Sequence, residues 1–315
     1  MMYYIGIDIG GMSVKIGVVH SEGKILISRA IVTEVGAGYK SMVRSMVTLI
    51  KELMLELPLK EDDIEGIGIG IPGVADSRNG IVRVAVNLDW RDVPLVDEFH
   101  KYFDIPVRIS NDANVAALGE QRFGGAAGRE NVIMVTLGTG VGSGIIMDGK
   151  LIEGYGSAGA EAGHMIIEMG GEQCACGRSG CWEQYASASA LIRQTKRAME
   201  MYPMSAMHDV FREQGKVNGR TAFLAAAKGD KVAQNVVDTY IRYIAMGLIS
   251  LGNVLHPEVF VIGGGISHEG ERLTNPLKAY LRNYADISGF KPYIDVVPAT
   301  LGNDAGIIGA AALVM

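Results

Sequence analysis

A pattern repeated across the chain limits the fold more than any other feature. IGIDIGG at 5–11 and IMVTLGT at 133–139 align with Gly10 over Gly138, an offset of 128. Each is followed by a second apolar stretch and a Gly-Lys turn, Gly23–Lys24 and Gly149–Lys150. The turn offset is 126, so the second unit is two residues shorter. Apolar strands ending in glycine can also resemble one another by chance, because buried strands are apolar and glycine permits tight turns. If the echo is structural, it predicts a duplicated α/β architecture with two strand–turn–strand hairpins. Backbone amides exposed at such glycine turns form concave anion sites.

The intervening segments fit that architecture. Met42, Met46, Ile50, Leu53 and Leu57 form one apolar stripe, predicting a helix over 41–57 that Pro58 ends. Residues 64–71 read as a buried strand, and 107–110 as another that runs into a helix after Asn111–Asp112. A new strand opens at Val132, residues 185–245 are mostly helical in pattern, and 259–267 form a strand entering a glycine loop. Residues 303–314 read as a last helix capped by Asn303 or Asp304, its small side chains suited to packing back on the first domain.

Composition removes several function classes. The net charge is −6 and no block of basic residues occurs, which argues against nucleic-acid binding. No run of eighteen apolar residues is present, and the first strand is interrupted by Asp8 without a basic stretch before it. Neither a membrane span nor a signal segment is expected, and the chain reads as cytoplasmic. GIGIPG at 68–73 matches a dinucleotide-binding glycine pattern, but Pro72 lies inside it and a turn, not a helix, should follow. No P-loop pattern exists.

The three cysteines, Cys174, Cys176 and Cys181, lie within eight residues and form no disulfide framework. With His164 they make a set of one imidazole and three thiols, the kind that closes a structural zinc site, against free thiols on a surface loop as the other reading. Four protein ligands leave no open coordination position, so such a zinc organises the loop and does no chemistry.

DIGGMSVKIG (8–17), NDANVAALGE (111–120), LGTGVGSGI (137–145), EAGHM (161–165) and CACGRSGCWE (174–183) resemble the ROK family of sugar kinases and sugar-responsive repressors. The likeness runs in family order from Ile5 to the final helix. It implies an α/β, two-domain actin-like ATPase (ribonuclease H-like) fold with duplicated sheet–helix domains. A smaller domain of 1–115 plus 301–315 would carry the first hairpin and the catalytic aspartate. A larger one of 116–300 would carry the second hairpin, the zinc loop and the adenosine loop.

The same resemblance implies an ATP- and Mg²⁺-dependent phosphotransferase of carbohydrate metabolism and glycolysis, acting on the 6-hydroxyl of a hexose. Gly73 in GIPG and Asn87 in NLDW resemble the glucose-kinase pattern, which puts glucose ahead of N-acetylmannosamine, N-acetylglucosamine, mannose and fructose. Family members are homodimers or dimers of dimers. The repressor branch carries a helix-turn-helix module ahead of the first hairpin, which here begins at residue 3, so a kinase is expected. A sugar-binding regulator without catalysis is opposed by Asp8, Asp112 and Thr139.

The resemblance also gives the residues roles. Asp112 becomes the general base, with Asn111 beside it among the sugar contacts; its local sequence by itself favours a plain helix N-cap, and the resemblance reverses that. Asp8 would hold magnesium through water. Gly10, Gly11 and Ser13, with Gly138, Thr139 and Gly140, would cradle phosphates. Lys15 would approach a phosphate or stand exposed, and Gly264 and Gly265 would lie against adenosine or simply form a turn. Glu161, His164 and Glu183 would bind sugar hydroxyls, His164 serving metal and sugar through different ring nitrogens.

Overall fold

The computed structural model describes residues 2–284 and 293–315. Met1 and residues 285–292, which the domain division above includes, lie outside the described residues. Backbone contacts divide the chain into two units: Met1–Glu130, Gly144–Ala160 and Thr300–Met315 form one, Asn131–Ser143 and Glu161–Ala299 the other.

The chain begins with an antiparallel meander, β1 (Tyr3–Ile9), β2 (Ser13–His20) and β3 (Ile25–Val32), so the first hairpin gains a third strand. Helix α1 (Tyr39–Glu56) follows, two residues earlier than the stripe suggested. β4 (Ile64–Ile71) pairs parallel with β1. Next come β5 (Val74–Asp76), β6 (Ile81–Ala85) and β7 (Trp90–Val93), a small antiparallel sheet, then α2 (Leu95–Phe99). A short strand, where a turn was expected, follows GIGIPG, and the turn comes after it at 77–80; no helix stands there for a dinucleotide. β8 (Val107–Asn111) pairs parallel with β4 and leads without a break into α3 (Asp112–Phe123).

β9 (Val132–Leu137), β10 (Val141–Met147) and β11 (Lys150–Leu151) repeat the opening meander. The helices α4 (Glu183–Ala186), α5 (Ala188–Met201), α6 (Met207–Gln214), α7 (Thr221–Ala227) and α8 (Lys231–Leu255) carry the helical pattern ten residues past its expected end at 245. β12 (Val259–Gly263), α9 (Glu271–Tyr284), β13 (Asp295–Pro298) and α10 (Ala305–Ala312) complete the chain. Asp304 occupies the N-cap position of α10, but its side chain makes no capping bond. A short 3-10 turn, Gly302–Asp304, feeds the helix instead.

The echo extends through both sheets. One has the order β3-β2-β1-β4-β8 and the other β11-β10-β9-β12-β13. In each, the meander's first strand pairs parallel with the strand entered later, β1 with β4 and β9 with β12. The last strand pairs parallel again, β8 on β4 and β13 on β12.

Strand alternation sorts β1 onto two faces. Ile5, Ile7 and Ile9 join Ile67, Ile69 and Ile71 of β4 in a core with Met42, Met46, Ile50 and Leu53 of α1. Tyr4, Gly6 and Asp8 face the other way, where α10 lies: Tyr4 clusters with Ile307 and Ala311. Here backbones nearly touch. A Cβ on Gly68 would sit 1.7 Å from the Ala310 carbonyl oxygen, and one on Gly309 would sit 1.6 Å from that of Val115 in α3. Only glycine fits at either position.

Glu120 of α3 is fully buried and fastens the returning chain. Its carboxyl oxygens accept hydrogen bonds from Thr300 N (2.9 Å), Leu301 N (2.8 Å), Gly125 N (2.7 Å) and Thr300 Oγ1 (3.3 Å). Removing the acceptor strands several donors away from water, each costing about 1–3 kcal/mol. Glu120→Ala should therefore destabilise the protein by about 3–5 kcal/mol in denaturant unfolding, well beyond an exposed glutamate changed to alanine.

Candidate active site

In the first unit, Asp8 lies opposite Lys15 across the β1–β2 pair. Lys15 Nζ donates to the Asn303 carbonyl at 3.3 Å, and a Cβ on Gly306 would lie 2.5 Å from the Asp8 carboxyl. The GNDAG segment at 302–306 thus walls the Asp8 site, where sequence had suggested only a helix cap. Burial raises the Asp8 pKa above the usual carboxylate range, with the Lys15 charge acting against it. Such a carboxyl is poised to gain from a cation.

The first glycine turn is closed by Gly10 N donating to Ser13 O at 2.9 Å, while Thr33 Oγ1 donates to Gly10 O at 2.7 Å. Gly10's amide is therefore engaged inside the turn. The amides of Gly11 and Met12 carry no hydrogen bond among the described residues and are the ones available to an anion. Asn87 sits in the 3-10 turn Val86–Leu88 beside this hairpin, its Cβ 3.5 Å from where a Cβ on Gly11 would stand.

At the β8–α3 junction the capping role falls to Asn111. Its side chain accepts from Ala113 N at 2.8 Å and donates to Gly73 O at 2.9 Å. Gly73, at φ 102, holds the left-handed conformation this approach requires. Asp112 is the first residue of α3, with Oδ1 accepting from Ala113 N at 2.8 Å. A carboxylate at a helix N-terminus is electrostatically favoured there.

The second unit gathers the remaining candidates around the β9–β10 turn. Gly138 N donates to Gly140 O at 3.0 Å, closing this turn as Gly10 closes the first. Gly264, at φ 81, packs on the end of β9, where a Cβ would come within 2.5 Å of Leu137 O. The Gly264–Gly265 loop is therefore next to the turn that starts at Gly138. Glu161 precedes the 3-10 turn Ala162–His164, which Ser143 of β10 holds through a 3.1 Å bond from Ala162 N.

His164, Cys174, Cys176 and Cys181 converge, their ligand atoms all within 4.8 Å of one another. Cys174 Sγ is 3.7 Å from His164 Nδ1, and Cys176 Sγ is 3.5 Å from Cys181 Sγ. A tetrahedral site with zinc–sulfur bonds of about 2.3 Å has sulfur–sulfur edges of about 3.8 Å, so the donors fit zinc in chemistry and spacing. Hydrogen bonds from the Arg178 backbone and side chain pull the Cys176 thiol down to about 6, and burial pushes Cys181 up to about 12. Nδ1 of His164 is the nitrogen beside the sulfurs, leaving Nε2 for another partner. Glu183 opens α4, two residues after Cys181.

Two features had no signal in local sequence. Glu153 accepts from both Ser77 Oγ and Ser110 Oγ, and Ser110 in turn accepts from Asn114 Nδ2 at 3.3 Å. This polar clasp supports the strand end that carries Asn111. The wall made by Asn303 and Gly306 is the other.

Residues 4–315 match the ROK family. The chain belongs to the ROK family. It is 35% identical to the glucokinase of Halalkalibacterium halodurans over 313 residues, 99% of this chain and 94% of that one. It is 29% identical to the xylose repressor of Caldicellulosiruptor bescii, across 99% of this chain but 77% of the repressor. A ROK glucokinase from Streptomyces griseus, solved in complex with glucose and AMPPNP, superposes with a TM-score of 0.78 at 36% identity, covering 99% of this chain and 98% of that one. The ROK fold, the two-domain actin-like ATPase architecture, is the one whose duplicated sheets are described above.

Two outcomes follow for this ROK protein. Metal analysis of the purified chain should find about one zinc per chain, falling to near zero in a Cys174→Ser, Cys181→Ser double variant. For Asp8, a raised folded-state pKa means stability that is present below the unfolded value and lost as pH rises through the folded one. Asp8→Asn should therefore raise the ligand-free unfolding midpoint at about pH 7, with little change near about pH 3.

Proposed function

We propose that this ROK protein is an ATP-dependent hexose kinase whose preferred acceptor is the 6-hydroxyl of glucose. One observation carries the reading: Asp112 is the first residue of α3, directly after the N-cap Asn111, so its carboxylate stands at the helix N-terminus at the end of β8. Full-length similarity to glucokinases, including one solved with glucose and an ATP analogue, supports the substrate.

In this reading Asp112 orients the sugar 6-hydroxyl and accepts its proton as the new oxygen–phosphorus bond forms. The bond between the γ-phosphorus and the β,γ-bridging oxygen breaks, and ADP leaves. Because a loose phosphoryl-transfer transition state releases the hydroxyl proton late, positioning matters more than basicity. In the first unit the amides of Gly11 and Met12, with Ser13 beside them, are suited to bind phosphate oxygens; in the second unit the amides of Thr139 and Gly140 are. Magnesium, when bound, neutralises charge on the phosphates. Asp8 is the carboxylate suited to hold it through water, and Lys15 stays against Asn303 close by. Asn87, Asn111, Glu161, His164 and Glu183 are the candidate sugar contacts, with Gly73 supplying the carbonyl that holds Asn111. Gly264 and Gly265 border the adenosine. Zinc at His164, Cys174, Cys176 and Cys181 is structural.

The similarity to a xylose repressor motivates one other reading, a sugar-binding regulator without turnover. An ADP-release assay with Mg-ATP and a panel of hexoses and N-acetylhexosamines separates the two. Glucose-dependent turnover is expected, and Asp112→Asn should lower kcat by about a thousandfold with an unchanged fold. Sugar binding without turnover in the wild type would instead favour the regulator, and an Asp112→Asn protein that keeps most of its turnover would remove Asp112 as base.

A further inference from the structure

Glu183 does more in this structure than sit beside a zinc ligand. Its Oε2 accepts a hydrogen bond from Val141 N at 3.1 Å, and Val141 is the first residue of β10, immediately after the glycine turn 138–140. The carboxyl lies directly under that turn: a Cβ on Gly140 would stand 2.1 Å from Glu183 Oε2. Its other oxygen, Oε1, is 3.9 Å from Cys174 Sγ. One side chain thus lies against both Cys174 and the glycine turn at 138–140.

A second bond joins the same two segments. Ala188 N, at the start of α5, donates to Gly138 O at 2.9 Å. The turn is therefore gripped at both ends by the stretch 183–188, at Gly138 through a backbone amide and at Val141 through the Glu183 carboxyl. That stretch is fixed at its own beginning by the cysteine cluster. Cys181 is fully buried among the ligands, and the neighbouring Trp182 is fully buried with Nε1 donating to Tyr243 O at 2.8 Å. Since Gly138 N is bonded to Gly140 O and Val141 N to Glu183, the turn is left with the amides of Thr139 and Gly140 for an anion.

We propose that Glu183 is a positioning residue through which the metal site of His164 and the three cysteines sets the shape of the phosphate-binding turn at 138–141, so that metal occupancy governs nucleotide affinity. This rests on the kinase reading above, and it assigns the metal a reach toward the nucleotide in addition to the sugar. A preorganised anion site binds with less ordering cost than one that must be assembled by its ligand. Metal and nucleotide are then coupled through one carboxyl, and cutting that link removes the coupling.

The experiment measures Mg-AMPPNP binding by calorimetry without sugar, for wild type, Glu183→Ala and Glu183→Gln, each zinc-loaded and chelator-stripped. Zinc content and thermal unfolding are recorded for every sample, and Cys176→Ser replaces chelation should the stripped protein unfold. In the wild type, stripping should weaken nucleotide binding by about tenfold, the scale of one lost hydrogen bond to a charged group. Zinc-loaded Glu183→Ala should show a similar loss while retaining its zinc, and stripping it should cost less than about twofold more. Glu183→Gln keeps the acceptor while dropping the charge, and should recover most of the affinity, which separates geometry from charge. The proposal is overturned if zinc-loaded Glu183→Ala binds nucleotide as the wild type does, or if stripping weakens both proteins equally. A wild-type protein that binds no Mg-AMPPNP would overturn the kinase reading itself, a result distinct from both.

Discussion

The first unit depends on backbone lying against backbone. α10 meets β4 at Gly68 and α3 at Gly309 with no room for a single methyl group. Close approach of this kind removes the side-chain layer that usually separates helix from sheet, so small errors in position cannot be absorbed by a rotamer change. Everything at the C-terminal end of β1 inherits that rigidity. Asp8 is on the face that α10 covers, and Gly306 is a glycine because the Asp8 carboxyl occupies the space beside it. Glu120 then locks the entry to α10 by binding the Thr300 and Leu301 amides. The helix that presents Asp112 at one end is thus fastened near its other end, and the candidate base stands on a doubly anchored element.

The two five-stranded sheets use the same topology with different reinforcement. In the first, the glycine turn of β1–β2 is buttressed by Thr33, which reaches the Gly10 carbonyl from the segment just beyond β3. β11 is only two residues long, against eight in β3. In its place, the chain supplies the stretch 183–188 and the cysteine cluster behind it. A knot of His164 and three cysteines substituting for a missing length of strand gives a physical reason for those side chains to sit where they do.

How much of this was legible follows from the range of each interaction. The echo of IGIDIGG in IMVTLGT could be read because buried strands are uniformly apolar and the turns demand glycine, both local requirements. The α1 stripe was legible for the same reason, with Met42, Met46, Ile50 and Leu53 buried on one face. The cysteine cluster stood out by composition alone. Glu120 did not, since what identifies it is contact with Thr300 and Leu301, 180 and 181 residues away in sequence. Glu183 was marked as a sugar contact by family likeness, and its bond to Val141, 42 residues distant, left no trace in spacing. Asn303 and Asp304 read as a cap because small polar residues before an apolar run usually are one. Here a 3-10 turn enters the helix, and Asn303 offers its carbonyl to Lys15 instead.

The discontinuous make-up of the first unit bears on how the chain is made. Its sheet begins with the third residue, yet the helix that covers one face starts at residue 305. A chain emerging from the ribosome forms β1, β2 and β4 long before α10 exists. For all that time the face bearing Tyr4 and Gly6 has no cover, and at about 5–20 residues per second the wait lasts on the order of 15–60 seconds. Such long-range closure also slows folding, because loop entropy must be overcome before the contacts repay it. Glycine on the waiting face offers little apolar surface to a passing chain. The residues that admit α10 so closely thus also leave less apolar surface on that face of the unfinished sheet.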